Sequence, residues 1–185
     1  MTGRSDRELL GQFQQGDESA FNELVLRYQE RIYWVASRFL QDHDDADDVV
    51  QEVFLKVYEG LRTFRGESGL YTWMYRITVN ASLNFLRRRR VKEFFRLDDM
   101  AEERSAESER PDNALERKEE RTLIEEAIER LPDKQKAVFL MRYYDELPYD
   151  EIGRILGTSV GGLKANYFHA VRKIENYVKR AHQSP

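Results

Sequence analysis

Apolar residues recur every three or four positions along most of this chain, and no segment alternates apolar and polar residues as a strand does. The pattern predicts helices at about residues 6–15, 18–41, 44–62, 71–92, 113–130, 133–144, 149–156 and 159–180. Pro132 and Pro148 stand at predicted helix starts, where a missing amide hydrogen costs nothing. Breaks are predicted at residues 16–17 and 63–69, and the second break contains Gly66 and Gly69.

Between the fourth and fifth predicted helices, residues 97–112 are polar and acidic and include Ser, with few apolar positions. Such composition is typical of a flexible linker. The sequence therefore predicts an all-α protein with two small helical domains joined by a flexible linker. The predicted limits are 1–96 for the first domain, 97–112 for the linker and 113–185 for the second domain.

The last two predicted helices form a helix-turn-helix. Gly157 suits the tight turn between them, and Ser159 is a plausible N-cap. One face of the second helix is apolar, with Val160, Leu163, Tyr167, Ala170, Val171, Ile174 and Val178. The opposite face is small, then amide-bearing, then basic, with Gly162, Ala165, Asn166, His169, Arg172, Lys173 and Asn176. Such a face fits the DNA major groove, although an ordinary amphipathic helix with a solvated face has a similar pattern.

The net charge of −4 argues against a simple, tight DNA binder, because phosphate neutralisation supplies much of the affinity for DNA. The charges are segregated, however. Arg87–Arg90, Lys92 and Arg96 form a basic block, and acidic residues dominate positions 98–120. Segregation suggests two partners, or a DNA-binding surface that the chain itself screens.

The absence of Cys excludes disulfides and thiolate metal sites. No apolar run is long enough to cross a bilayer, and residues 1–6 lack the apolar core of a signal peptide. A cytoplasmic location without membrane insertion is therefore expected.

The predicted helix at 44–62 has an outward face of different character from its apolar side. Asp48, Gln51, Glu52, Leu55 and Glu59 share that face. Leu55 is an apolar residue at the centre of an acidic stripe, which suggests a protein-docking surface with one anchor, or simply a solvated helix face. The acids at positions 44–48 resemble a metal site. No second ligand cluster is apparent and helix dipoles favour acids at such a position, so no metal is expected.

Residues 63–76 mix aromatic and basic side chains, with Phe64, Tyr71, Trp73 and Tyr75 near Arg65 and Arg76. Met74, Ile77, Ala81 and Phe85 are predicted as the buried stripe of the helix, and Arg76, Asn80 and Arg87 as one outward flank. Aromatic rings beside cations suit unpaired bases, and a Gly-containing loop can hold an extruded base. The alternative is that the aromatic residues belong to the core or its rim, and for Trp73 this alternative is the favoured one.

Taken in order, these segments resemble the bacterial sigma-70 family, specifically the small extracytoplasmic-function (ECF) group. Residues 45–54 resemble the part of sigma domain 2 that docks on the clamp helices of the polymerase β′ subunit. Residues 64–68, 71–80 and the arginine run resemble the part that captures the −10 element. Residues 127–140 and the helix-turn-helix resemble domain 4, which reads the −35 element.

The resemblance implies a non-enzymatic initiation subunit whose partners are bacterial core RNA polymerase (β′ clamp helices and β flap), promoter DNA and, as for many members of the family, an anti-sigma factor. No cofactor is expected. The implied polymerase-binding residues are Asp48, Gln51, Glu52 and Leu55. The implied −10 residues are Phe64, Arg65, Gly66, Glu67, Ser68, Tyr71, Tyr75, Arg76, Asn80 and Arg87. The implied −35 residues are Ser159, Lys164, Ala165, Asn166, His169, Arg172 and Lys173.

The recognition helix departs from the family pattern. It begins Val160-Gly-Gly-Leu-Lys-Ala-Asn166, where the family often has Val-Gly-Thr-Val-Lys-Ser-Arg. Asn can pair bidentately with adenine, whereas Arg172 and Lys173 are expected on phosphates. Two other hypotheses remain: a stand-alone helix-turn-helix regulator with a sensing or dimerising domain at 1–96, and an enzyme with a metal at residues 44–48.

Overall fold

The computed structural model describes residues 3–40, 42–97 and 115–183, and all regular structure in these ranges is helical. The eight described helices are α1 (Asp6–Gln14), α2 (Glu18–Leu40), α3 (His43–Leu61), α4 (Leu70–Leu97), α5 (Leu115–Glu129), α6 (Asp133–Tyr143), α7 (Tyr149–Leu156) and α8 (Val160–Gln183). The all-α prediction is confirmed. None of the described helices is both long enough and apolar enough to cross a bilayer.

The chain forms two compact units, and the division between them falls between Arg90 and Val91. Helix α4 continues past this division to Leu97, five residues beyond its predicted end. The predicted linker at 97–112 lies outside the described residues, except for Leu97. The predicted domain limits therefore stay a prediction.

In the first unit, α1, α2 and α3 pack together on apolar residues at helical spacing. Helix α1 begins with a capping box in which Ser5 and Glu8 bond each other's backbone amide groups. Phe13, Phe21 and Tyr58 join the three helices, with ring centroids 5.0–5.6 Å apart. Helices α2 and α3 bury the side chains that the pattern predicted, among them Leu24, Ile32, Val49, Val53 and Val57.

Helix α4 is buried over a wider arc than a simple amphipathic stripe. Met74 and Ala81 are buried as predicted, but Ile77 and Phe85 are only half-buried. The buried face instead extends to Tyr75, Thr78, Val79, Ser82, Leu83 and Leu86. Thr78 satisfies its hydroxyl by donating to the Met74 carbonyl oxygen at 2.9 Å, which makes its burial tolerable. The predicted stripe is therefore confirmed at Met74 and Ala81 and wrong at Ile77 and Phe85.

In the second unit, α8 packs against α5, α6 and α7 through Leu163, Ala170 and Ile174. Gly157 ends α7 with φ 62°, in the left-handed region that a glycine adopts without strain. The Ser159 hydroxyl oxygen accepts from the Gly162 amide at 3.3 Å and caps α8. Both predicted features of the helix-turn-helix are confirmed, and Pro132 and Pro148 stand at the N-termini of α6 and α7 as expected.

Candidate nucleic-acid interface and docking surface

The outward face of α3 carries the acidic stripe that the sequence predicted. Asp48 and Gln51 are exposed, and Leu55 has 68% of its surface exposed. Glu52 is half-buried, and its carboxylate accepts hydrogen bonds from two cations, Lys56 Nζ at 2.6 Å and Arg88 Nη2 at 3.0 Å. The hydrogen bond from Lys56, and to a smaller extent that from Arg88, lowers the pKa of Glu52 against the opposing effect of partial burial. The four predicted docking residues therefore share one charged surface around an exposed Leu.

The acidic N-terminal end of α3 is occupied by local contacts. Asp42 caps the helix by accepting from the Asp45 amide at 3.0 Å. The Asp45 carboxylate pairs with Arg89 at 3.1 Å, and the His43 ring contacts the Tyr33 hydroxyl. Among the described residues, no three His, Cys, Asp or Glu side chains are grouped as a metal site requires. Asp42 and Asp45 therefore have structural roles, as a helix cap and as a partner of α4.

The arginine run of α4 divides between two directions. Arg88 and Arg89 turn toward α3, where they meet Glu52 and Asp45. Arg87 is exposed and contacts Asn84 Oδ1 of its own helix at 3.4 Å. Of these three cations, Arg87 lies on the same outward flank as Arg76 and Asn80, both of which are exposed.

The loop between α3 and α4 is held at its N-terminal end. Gln14 Nε2 donates to the Leu61 carbonyl oxygen at 2.9 Å and to the Phe64 carbonyl oxygen at 3.1 Å. The Phe64 ring packs on Trp73, with centroids 4.8 Å apart. After Phe64, Arg65, Gly66 and Glu67 are exposed, Ser68 is half-buried, and Gly66 has φ 75°. The result is an exposed, polar loop on a fixed aromatic base.

Two of the predicted −10 residues lie elsewhere. Tyr75 is 4% exposed, so its ring is part of the core and cannot stack on a base. Tyr71 faces α2, where its ring lies 5.9 Å from that of Tyr28 and the Arg31 guanidinium covers it at 3.6 Å. Helical geometry separates Tyr71 from Arg76 and Asn80 around α4. The aromatic composition alone could not reveal these positions, because it does not say which neighbour each ring meets.

The outward face of α8 carries the predicted −35 residues. Lys164, Ala165, His169, Arg172 and Lys173 are exposed, and Ser159 serves as the cap. Asn166 is half-buried and its Nδ2 donates to the Gly162 carbonyl oxygen at 2.9 Å. The Nδ2 group carries a second hydrogen, so the amide can keep this intrahelical bond while Nδ2 and Oδ1 face a base edge.

Sequence reasoning missed two residues beside the predicted −35 residues, Phe168 on α8 and Tyr149 on α7. Phe168 has 56% of its surface exposed, and the Arg172 guanidinium lies 5.7 Å from its ring centroid. The Tyr149 ring lies 5.4 Å from the Arg142 guanidinium and 5.9 Å from Lys164 Nζ, so it positions a predicted DNA-contacting cation. An apolar residue placed outside the apolar face of the helical wheel was the available signal for Phe168.

Comparison with known proteins identifies both units. Residues 24–91 match the family model for sigma-70 region 2, and residues 121–174 match that for sigma-70 region 4. The RNA polymerase sigma-H factor of Pseudomonas aeruginosa is 34% identical over 186 residues, covering 95% of this chain and 94% of the relative. The ECF RNA polymerase sigma-E factor of Escherichia coli K12 is 36% identical over 182 residues, covering 95% of each.

A solved structure of the sigma factor RpoE from Bartonella quintana, in complex with the anti-sigma factor NepR, has the same fold. Its TM-score is 0.65 at 21% identity, covering 86% of this chain and 96% of that chain. The sequence matches run through both helical units and so do not support a stand-alone regulator or a metalloenzyme. The chain belongs to the ECF group of the sigma-70 family and is an RNA polymerase sigma factor.

Proposed function

We propose that this sigma factor acts in the cytoplasm as a dissociable, non-enzymatic initiation subunit. It docks on core RNA polymerase through α3, reads duplex −35 DNA through α8, and holds an unpaired −10 base on the loop that joins α3 to α4. The observation that carries the proposal is Leu55, which is 68% exposed at the centre of an acidic helix face.

The chemistry of the α3 surface defines the partner that fits it. An apolar anchor inside a charged rim is the usual anatomy of a protein interface, and burial of a Leu side chain contributes about 1.5–3 kcal/mol. Asp48 and Glu52 require basic groups around the apolar contact. We assign this surface to the clamp helices of the β′ subunit, as the family resemblance implies, and Gln51 to a hydrogen bond at its rim.

The −10 site that we propose consists of the loop Phe64, Arg65, Gly66, Glu67 and Ser68, followed by the flank Arg76, Asn80 and Arg87. The exposed loop supplies polar groups for the edge of one extruded base. The flank supplies cations for the DNA backbone and one amide. Support comes from the anchoring of the loop by Gln14 and Trp73, because a fixed loop reads a base more selectively than a mobile one. Tyr71 and Tyr75 are no longer part of this site.

The −35 site that we propose is the outward face of α8. Its small N-terminal residues permit close approach to the major groove, where Ala165, Asn166 and His169 meet base edges. Arg172 and Lys173 neutralise phosphates farther along the helix, and Lys164 does so beside Tyr149. The α8 N-terminus, capped by Ser159, favours a phosphate at that end.

Core polymerase also resolves the problem of an acidic DNA-binding protein. A chain of net charge −4 needs a second source of affinity, which docking supplies by raising the local DNA concentration. We assign the second unit to the β flap on the family resemblance. We further propose an anti-sigma factor as a partner, since the Bartonella sigma factor of the same fold was solved with one.

A matched pair of Leu substitutions tests the docking surface. Leu55→Asp places a charge where the anchor is buried, and we expect it to weaken the affinity for core polymerase at least tenfold. Leu26, which is 71% exposed on α2, provides the control, and Leu26→Asp should leave that affinity unchanged. Equal affinities for the wild type and Leu55→Asp would contradict the assignment of this surface.

A further inference from the structure

One side chain links the two surfaces of the first unit. Arg88 belongs to the basic run of α4, yet its guanidinium points to α3 and contacts Glu52 Oε2 at 3.0 Å. Glu52 is one of the four proposed docking residues. Arg88 therefore neutralises part of the acidic stripe that core polymerase has to engage.

Two features favour release of Arg88 from Glu52. The Arg88 side chain is 57% exposed, so it can rotate into solvent at little cost. Glu52 keeps a second cation, Lys56 at 2.6 Å, so its carboxylate does not depend on Arg88 for compensation. Arg88 also follows Arg87, whose exposed guanidinium lies on the proposed DNA-facing flank.

We propose that Arg88 is a cation shared between the polymerase-docking surface and promoter DNA. In the free protein it occupies Glu52 and competes with the basic groups of the polymerase. On docking, Glu52 pairs with basic groups of the polymerase and Arg88 is released. Arg88 then adds to the positive charge facing the DNA backbone. The inference rests on the proposed docking role of Glu52 and adds a coupling between docking and DNA binding.

The two possible roles of Arg88 predict opposite changes in the affinity for core polymerase when Arg88 is replaced. If Arg88 merely held α3 and α4 together, its loss would weaken docking. If Arg88 competes for Glu52, its loss strengthens docking, because the stripe becomes more acidic. Exposed ion pairs are weak, so we expect about a two- to fivefold gain in affinity for core polymerase. The same substitution should weaken holoenzyme binding to promoter DNA, because one backbone cation is lost.

The experiment compares Arg88→Gln with Arg87→Gln in the full chain. Affinity for core polymerase is measured by fluorescence titration, and affinity of the assembled holoenzyme is measured on a promoter fork with an unpaired −10 strand. Arg88→Gln should tighten the first and weaken the second. Arg87→Gln removes an equal charge and should weaken only the second. Unchanged or weaker binding of Arg88→Gln to core polymerase would overturn the inference.

Two further variants exclude trivial causes. In the Glu52→Gln background, Arg88→Gln should no longer tighten docking, since the competitor has lost its target. A persistent gain there would mean that Arg88 acts through general charge, and the inference would fail. Leu55→Asp tests the docking surface itself. If Leu55→Asp binds core polymerase normally, the proposed surface is wrong, whereas loss of binding without a gain in Arg88→Gln overturns the shared cation alone.

Discussion

Asn166 is the residue at which the recognition helix departs most from the family pattern, and its amide is already bonded within α8. A bidentate pair with adenine is worth about 1–3 kcal/mol of discrimination. We expect Asn166→Ala to relax selectivity at one adenine of the −35 element by an amount within this range, because both atoms of the bidentate pair are lost. Competition binding of holoenzyme to a −35 library measures the change.

The matched control for Asn166 is Lys173→Gln, which removes a phosphate contact from the same face. It should weaken binding to every −35 variant by the same factor and flatten the salt dependence. If Asn166→Ala also weakens all −35 variants equally, the side chain has no role in reading an adenine.

Phe168 is an exposed apolar side chain beside the proposed −35 site, with the Arg172 guanidinium 5.7 Å from its ring centroid. Apolar contacts in the major groove recognise the C5-methyl group of thymine. We therefore expect Phe168→Ala to lower the preference for thymine at one −35 position by roughly tenfold. Replacing that thymine with uracil should weaken the wild type and leave Phe168→Ala unaffected. A wild type that binds both bases equally at every −35 position would exclude this contact.

At the scale of elements, the turn of the helix-turn-helix depends on Gly157 at φ 62°. A Cβ in the left-handed region costs about 1–2 kcal/mol, and Asn tolerates that region better than Ala. Thermal unfolding of the full chain should give a lower transition temperature for Gly157→Ala, and a smaller decrease for Gly157→Asn. Equal stability of Gly157→Ala and the wild type would mean that the turn adopts another conformation.

Helices α5 and α6 share an ion pair in which the ammonium group of Lys136, a residue with only 2% of its surface exposed, contacts Glu129. Removing one member of such a pair takes compensation away from the buried charge of the other. Because Glu129 is partly exposed, we expect Glu129→Gln to lower the free energy of unfolding by about 2 kcal/mol, less than for a fully buried pair. Denaturant titration provides the measurement.

The control for the ion pair is Lys134→Gln, an exposed position on α6 that should change stability little. The double variant Glu129→Gln with Lys136→Met should recover part of the loss, because an apolar side chain replaces the buried charge. A Glu129→Gln variant as stable as Lys134→Gln would show that the pair contributes nothing to folding.

Helical periodicity was enough to place the elements. Seven of the eight predicted segments end within three residues of the observed ends, because helices depend on local spacing and on caps such as Ser159. The exception is α4, which extends to Leu97. The prediction of its buried residues was also partly wrong. Burial of Tyr75 and Leu83 depends on neighbours that are distant in sequence, and the spacing along one helix does not contain that information.

At the scale of the whole molecule, the candidate site was only partly predictable. The exposure of Leu55 follows from its position on the wheel of α3, since that position is set by the helix alone. The pairing of Arg88 with Glu52 joins residues 36 positions apart, and that of Arg89 with Asp45 joins residues 44 apart. Composition indicated segregated blocks of charge, whereas the fold brings cations of one block onto the carboxylates of another segment.

These contacts change the account of charge in this chain. Part of the basic block of α4 is neutralised by α3 when the protein is free, so its attraction for DNA is lower than its sequence suggests. The DNA-binding surface that we propose therefore consists of the α3–α4 loop and the flank of Arg76, Asn80 and Arg87 in the first unit, and of the outward face of α8 in the second. Tight promoter binding is therefore expected only when core polymerase supplies the remaining affinity.

The measurement that tests this account most directly is promoter-directed transcription with purified bacterial core polymerase and a library of −35 and −10 sequences. We expect specific initiation only when this protein is present, selection at both elements, and loss of initiation with Leu55→Asp. Phe168→Ala should alter selection at the −35 element alone. Binding of the free protein to duplex DNA without any polymerase-dependent initiation would contradict the account.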